Sequence, residues 1–155
     1  MPLRRDRHTR METVMHGVAR NFFTLAVAYA LCGMALGIHM SIIHDHTQMP
    51  VHAHAMVAGW LMSAVIAFFY HLVPVAGASR LAAPHFWLTA ISGIGLIVGL
   101  YFLLAGNEGA EPFVAMASIG FYASAVLFAF IALRALWFRK RNAADLFPIG
   151  TPAGQ

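Results

Sequence analysis

NFFTLAVAYALCGMALGIHMSII, residues 21–43, contains no charged side chain in 23 positions. An α-helix rises about 1.5 Å per residue, so roughly 20 apolar residues cross the hydrocarbon core of a bilayer. Three more charge-free runs follow, at Val51–Ser79, Leu81–Asn107 and Phe113–Leu133. The whole chain has 155 residues, of which 60% are hydrophobic and only 10% charged. A soluble globule carries about 25% charged residues, so this chain lacks the polar surface to cover itself in water. Backbone groups within lipid must be satisfied inside each segment, which makes each run a helix. The expectation is an all-α, integral membrane four-helix bundle. Its spans fall at about 20–42, 50–73, 84–104 and 112–138.

The net charge of +4 raises the question of nucleic acid, and the placement of the charges answers it. All ten Lys and Arg fall in three places. Arg4, Arg5, Arg7, Arg10 and Arg20 precede or open the first run. Arg80 sits in the second connection, and Arg134, Arg139, Lys140 and Arg141 close the chain. The first and third connections have none. This is the positive-inside pattern. It places both termini and the second connection in the cytoplasm, with the first and third connections on the other side. The basicity describes topology in a lipid bilayer, and a nucleic-acid partner is not expected. Residues 1–19 read as a basic cytoplasmic lead-in, and 20–138 as the membrane domain. Residues 139–155, rich in Pro, Gly and Ala, read as a disordered cytoplasmic tail.

The prolines punctuate the spans. Pro50 suits a first helical turn, and Pro74 follows the end of the second span. Gly33-x-x-x-Gly37 is a small-x-x-x-small pattern that admits a close neighbour, read here as ordinary helix packing. Trp87 and Trp137 stand where one aromatic belt is expected, and Tyr101 at the other. The first run is too long for a signal-peptide core, and no A-x-A-like cleavage site follows it. Cys32 is the single cysteine, which excludes a disulfide framework and leaves a small packing residue at mid-membrane depth.

Between the first two spans lies HDHTQMPVHAHAMVAGW, residues 44–60. His39 and Met40 end the first span, and His52 and His54 open the second. The loop adds His44, His46 and Met49, all at one membrane depth. Histidine beside or inside a spanning segment is costly and marks a functional site by default. Neutral imidazole is the commonest metal ligand, and thioether sulfur adds affinity for copper(I). His54 lies one turn inside the apolar helix and shares a face with Ala58, Leu61 and Val65. The small Ala58 leaves room for a flat group such as a porphyrin. His52 lies about 200° around the same helix, so both imidazoles cannot meet one iron. Asp45 is placed to orient a ligand histidine through its ring N–H. At the other end, His71 and His85 close the second span and open the third, and form a possible second site. His71 is roughly 25 Å along the helix from His54 and cannot share its metal. The plainer reading of His71 and His85 is as interfacial residues.

Val51-His52-Ala53-His54-Ala55-Met56-Val57-Ala58-Gly59-Trp60, followed by Phe69-Tyr70-His71-Leu72-Val73-Pro74, resembles the second transmembrane helix of the haem-copper oxidase superfamily. Oxidase subunit I and the nitric oxide reductase large subunit share a helix-two histidine, an apolar run and an aromatic-rich end before proline. The chain is similar to the small four-helix proteins called subunit I-like. The resemblance covers roughly Tyr29 to Pro74. It implies that His54 is an axial ligand of haem b, with His39, a loop histidine, Met40 or a second chain opposite. The chain departs from the full subunit in having four helices. It lacks the later His-x-His helix and the three copper histidines, so complete oxygen or nitric oxide reduction is not implied. The histidine-rich side has no Arg or Lys for haem propionates, which would rest on His44, His46, Thr47, Gln48, helix-two amides or water.

These residues support three expectations. The first is a haem b protein that carries electrons or binds O2 or NO, built on His54, His39, His52 and Ala58. The second is a copper-binding or copper-handling protein built on Met40, His44, His46, Met49 and His52. The third is a structural subunit of a respiratory complex. In each, the location is the bacterial inner membrane with the histidine-rich loop on the periplasmic side. The partners are further copies of the chain or a larger complex. No nucleophile or general acid–base pair stands out, so an oxidoreductase role rests on the resemblance alone.

Overall fold

The structure of the chain, a computed structural model, describes residues 14–137. The expectation for the tail at 139–155 and most of that for 1–19 therefore fall outside the described residues. Four long helices follow one another: α1 (Gly17–Ile43), α2 (Met49–Leu72), α3 (Ala82–Leu104) and α4 (Glu111–Trp137). A one-turn helix at Pro74–Gly77 sits in the second connection, and a 3-10 turn at Glu108–Ala110 in the third. The described residues contain no strand. All four long helices are apolar and long enough to cross a membrane. The described residues are all-helical, and the chain is a membrane protein.

The hydroxyls obey the same constraint as the backbone. Thr24, Thr89, Ser92 and Ser118 each donate to the carbonyl four residues back on their own helix. Ser124 donates to Phe121 O. Bonded within their helix, these groups tolerate an apolar setting.

The helices meet best at the end that carries Arg20, Arg80 and Arg134, called here the basic end. Phe22 of α1, Ile66 and Tyr70 of α2, Ala76, Ala82 of α3 and Ile131 of α4 form one buried cluster. Elsewhere close approaches between helices centre on glycines. The Gly33-x-x-x-Gly37 pattern of α1 receives α2 within the same chain. A Cβ built on Gly33 would lie 2.7 Å from Met56 Sδ, and one on Gly37 2.9 Å from His52 Cε1. Between α3 and α4, Gly99 plays the same part, since a Cβ there would lie 2.8 Å from Phe113 Cδ1. Cys32 is exposed on α1 and takes no part in the helix contacts expected for it within the chain.

α2 is not a uniform α-helix. Residues Ala55–Leu61 form a π-helix. Its buried positions Val51, Ala55, Gly59 and Ser63 recur every four residues. In an α-helix each such step drifts about 40° around the axis, and three steps carry the row off the buried face. The wider turn of the π segment absorbs that drift. It keeps both halves of α2 on the bundle interior. The Tyr29 ring of α1 lies against Gly59 in the middle of this segment, and its hydroxyl reaches Gly93 of α3. Added Cβ atoms would stand 2.6 Å from Tyr29 Cγ and 2.8 Å from Tyr29 Oη respectively.

Gly59→Ala therefore meets a rigid ring, and Gly33→Ala meets mainly the flexible end of Met56. The expected cost is about 1–3 kcal/mol for Gly59→Ala and less for Gly33→Ala. Thermal unfolding of the two variants in detergent checks the order; equal stabilities contradict this packing.

Candidate functional site

The connection from α1 to α2 is built by local hydrogen bonds. His44 ends α1 with φ 54°, a left-handed conformation that glycine or asparagine more often supplies. Asp45 Oδ1 then accepts from Thr47 N at 2.9 Å and from Thr47 Oγ1 at 2.6 Å. These bonds, the side-chain one first, hold the Asp45 carboxyl below its usual pKa, with a smaller contribution from the charge of His46. Asp45 thus shapes the turn and does not orient a histidine ring. The Met49 N–H donates to His46 O at 3.0 Å, which starts α2. Gln48 Nε2 donates to Tyr101 O at 3.3 Å and ties the loop to the end of α3.

Beside this loop is a cleft of about 420 Å³ between α1 and α3, lined by His39, Met40, Asp45, Thr47, Gln48 and Tyr101 among others. It gathers several of the residues singled out in the sequence. His44, His46, His52 and His54 are not part of its lining. Among the described residues, no three His, Cys, Asp or Glu side chains converge to hold a metal ion. Met40 is buried, and His39 is exposed.

His52 and His54 leave α2 on different sides. His52 turns into the chain: its Nδ1 lies 2.8 Å from Gly33 O and its ring packs over Gly37. His54 is exposed, where the sequence placed it inside the helix packing, and its Nδ1 lies 2.7 Å from Pro50 O. A carbonyl oxygen only accepts, so Nδ1 carries the proton in both rings and Nε2 keeps the lone pair. For His52 that lone pair sits between two closely packed helices. His54 is on the surface of α2 among the exposed Val57, Leu61 and Val65, with the half-buried Ala58 one turn on. A flat group does not fit on the inner side, because His52 and Met56 already fill the space over Gly37 and Gly33. The donor set of His54 does fit axial ligation: a ring fixed through Nδ1–H to a carbonyl, with Nε2 free to bind.

At the basic end the two remaining histidines part company. His71 is half-buried and lines a crevice of about 570 Å³ with His16 and Pro74. His85, expected at the interface, is fully buried in the core. Its Nδ1 lies 2.9 Å from Tyr70 Oη, and its ring stacks on Phe128 at a centroid distance of 5.6 Å. Phe22 lies 5.0 Å away. Its Nε2 has no hydrogen-bond partner among the described residues, and neither has Tyr29 Oη. Aromatic rings surround His85, so a porphyrin has no room there, and its role is to join α2 to α3 through Tyr70. Sequence reading missed this pair and the π segment. No sequence signal marks the pair: His85 follows Pro84 in the first turn of α3, and Phe22 follows Arg20 and Asn21 in the first turns of α1.

Comparison with family models, with characterised proteins and with solved structures finds no match to this chain.

Tyr70→Phe leaves His85 with neither nitrogen bonded. The expected loss is about 1 kcal/mol, because interhelical hydrogen bonds in membranes are modest. Adding His85→Phe to Tyr70→Phe should recover part of it. Unfolding measurements on both variants check this; no loss in Tyr70→Phe contradicts a bond that matters.

Proposed function

We propose that the chain is a haem b-binding membrane protein in which His54 is an axial ligand and a second copy supplies the opposing His54. One observation carries the reading: an exposed imidazole on an apolar helix face, protonated at Nδ1 by its bond to Pro50 O, with Nε2 left as the lone-pair nitrogen. The resemblance of residues 51–74 to helix two of the haem-copper oxidases points to the same histidine. His39 lines the cleft toward α3 and not the face of His54. A two-fold pairing of α2 helices is the simplest source of a second imidazole.

Haem b supplies one-electron chemistry when bound. With His54 of both copies holding the group, the role would be electron transfer in preference to O2 or NO binding. The chain contributes the pinned ring of His54, the small Ala58 one turn on and an apolar surround from Val57, Leu61 and Val65. By the positive-inside rule the basic end faces the cytoplasm of a bacterium and the histidine-rich end the periplasm.

Purification in mild detergent, followed by reduced-minus-oxidised spectra and a pyridine haemochrome assay, tests the reading. The expected result is a sharp reduced α-band and one haem per two chains. It is lost in His54→Ala and kept in His46→Ala. A colourless protein with stoichiometric copper replaces this reading with copper handling. A colourless, metal-free protein leaves a scaffold.

A further inference from the structure

The basic end has a groove of about 440 Å³ between the second connection and α4. Two positive charges line it: Arg80, from the connection, and Arg134, in the last turn of α4. Both are exposed. Ser79 lies beside Arg80, and Leu81, Phe130 and Ile131 give the groove an apolar wall. The groove opens next to the start of α3 at Ala82, a helix of 23 residues whose N-terminal dipole adds to the positive potential.

The charges on the described residues are separated end to end. Of the acidic residues, Asp45 lies in the first connection, Glu108 in the third and Glu111 opens α4, all at the far end of the bundle. Neither groove arginine therefore has an acidic partner among the described residues. Two arginines at a helix-to-lipid boundary, facing an apolar wall that runs into the membrane, match one chemistry. That chemistry is a phosphate with a hydrocarbon chain attached. Arginine grips phosphate oxygens with a planar fork, and basic pockets between membrane helices take lipid head groups in this way.

We infer that the groove bounded by Arg80 and Arg134 is a binding site for an anionic phospholipid, with the phosphate between the arginines and an acyl chain along Leu81, Phe130 and Ile131. The site lies at the opposite end from His54 and does not depend on how that residue is used.

The test uses the full chain in a neutral detergent, with thermal stability as the readout. Phosphatidylglycerol, phosphatidylcholine and inorganic phosphate are added separately. Phosphatidylglycerol should raise the melting temperature by about 3–6 °C, as a ligand well above its Kd does for a chain of this size. Phosphatidylcholine and inorganic phosphate should not. The rise should vanish in the Arg80→Gln/Arg134→Gln variant and persist in Arg20→Gln, which removes an arginine from the same end but not from the groove. An equal rise in the double variant, or loss of the rise in Arg20→Gln, overturns the site in favour of general charge attraction. A rise with inorganic phosphate alone overturns the lipid. A rise that appears only after removal of residues 138–155 gives the groove to the chain's own C-terminal segment and overturns the proposal.

Discussion

In lipid, apolar side chains gain little by leaving the solvent for one another, so helices are held by close contact and by hydrogen bonds between them. In this chain the contact between α1 and α2 meets both demands. Gly33 and Gly37 let α2 approach until Met56 and His52 fill the space above them. His52 then donates to the Gly33 carbonyl across the seam. One to two turns further along, the Tyr29 ring takes the space that Gly59 leaves open. The π segment at Ala55–Leu61 keeps the small residues of α2 on this seam along its whole length. Because His52 is committed to the seam, His54 two residues later is committed to the surface. The division of labour between the two histidines follows from helix packing.

The two ends of the bundle are built differently. At the basic end all four helices share one buried cluster, with the Tyr70–His85 pair inside it. At the histidine-rich end the loop is tied to α3 by Gln48, and a cleft remains beside His39 and Met40. Positive charge gathers at the first end and negative charge at the second. One end thus presents arginines, and the other presents imidazoles with no Lys or Arg beside them among the described residues.

The four helices were legible because charge-free runs of more than 20 residues leave few alternatives in lipid. The breaks at Pro50 and Pro74 were legible for the same kind of reason, since proline constrains where a helix starts and stops. The role of Gly33 and Gly37 as a packing seam was also readable from spacing. The sequence did not show that His52 would turn inward and His54 outward, because 200° around a helix fixes a difference and not an absolute direction. Nor did it show the π segment, whose sign was a row of buried positions spaced by four, visible only once burial is known. Asp45 was read as a partner for histidine and instead bonds Thr47, two residues away, as short acidic side chains commonly do in turns. The reading of His85 as interfacial rests on its place at the opening of the third span. One turn of α3 is enough to carry it into the core, where Tyr70 meets it.

Under the proposed function, His54 of two copies would hold one haem b. Electron paramagnetic resonance of the oxidised, haem-loaded protein tests the ligands themselves. The expected result is a low-spin signal of bis-imidazole type that disappears in His54→Ala. A high-spin signal in the wild type, a low-spin signal that survives in His54→Ala, or failure of the protein to take up haem contradicts it.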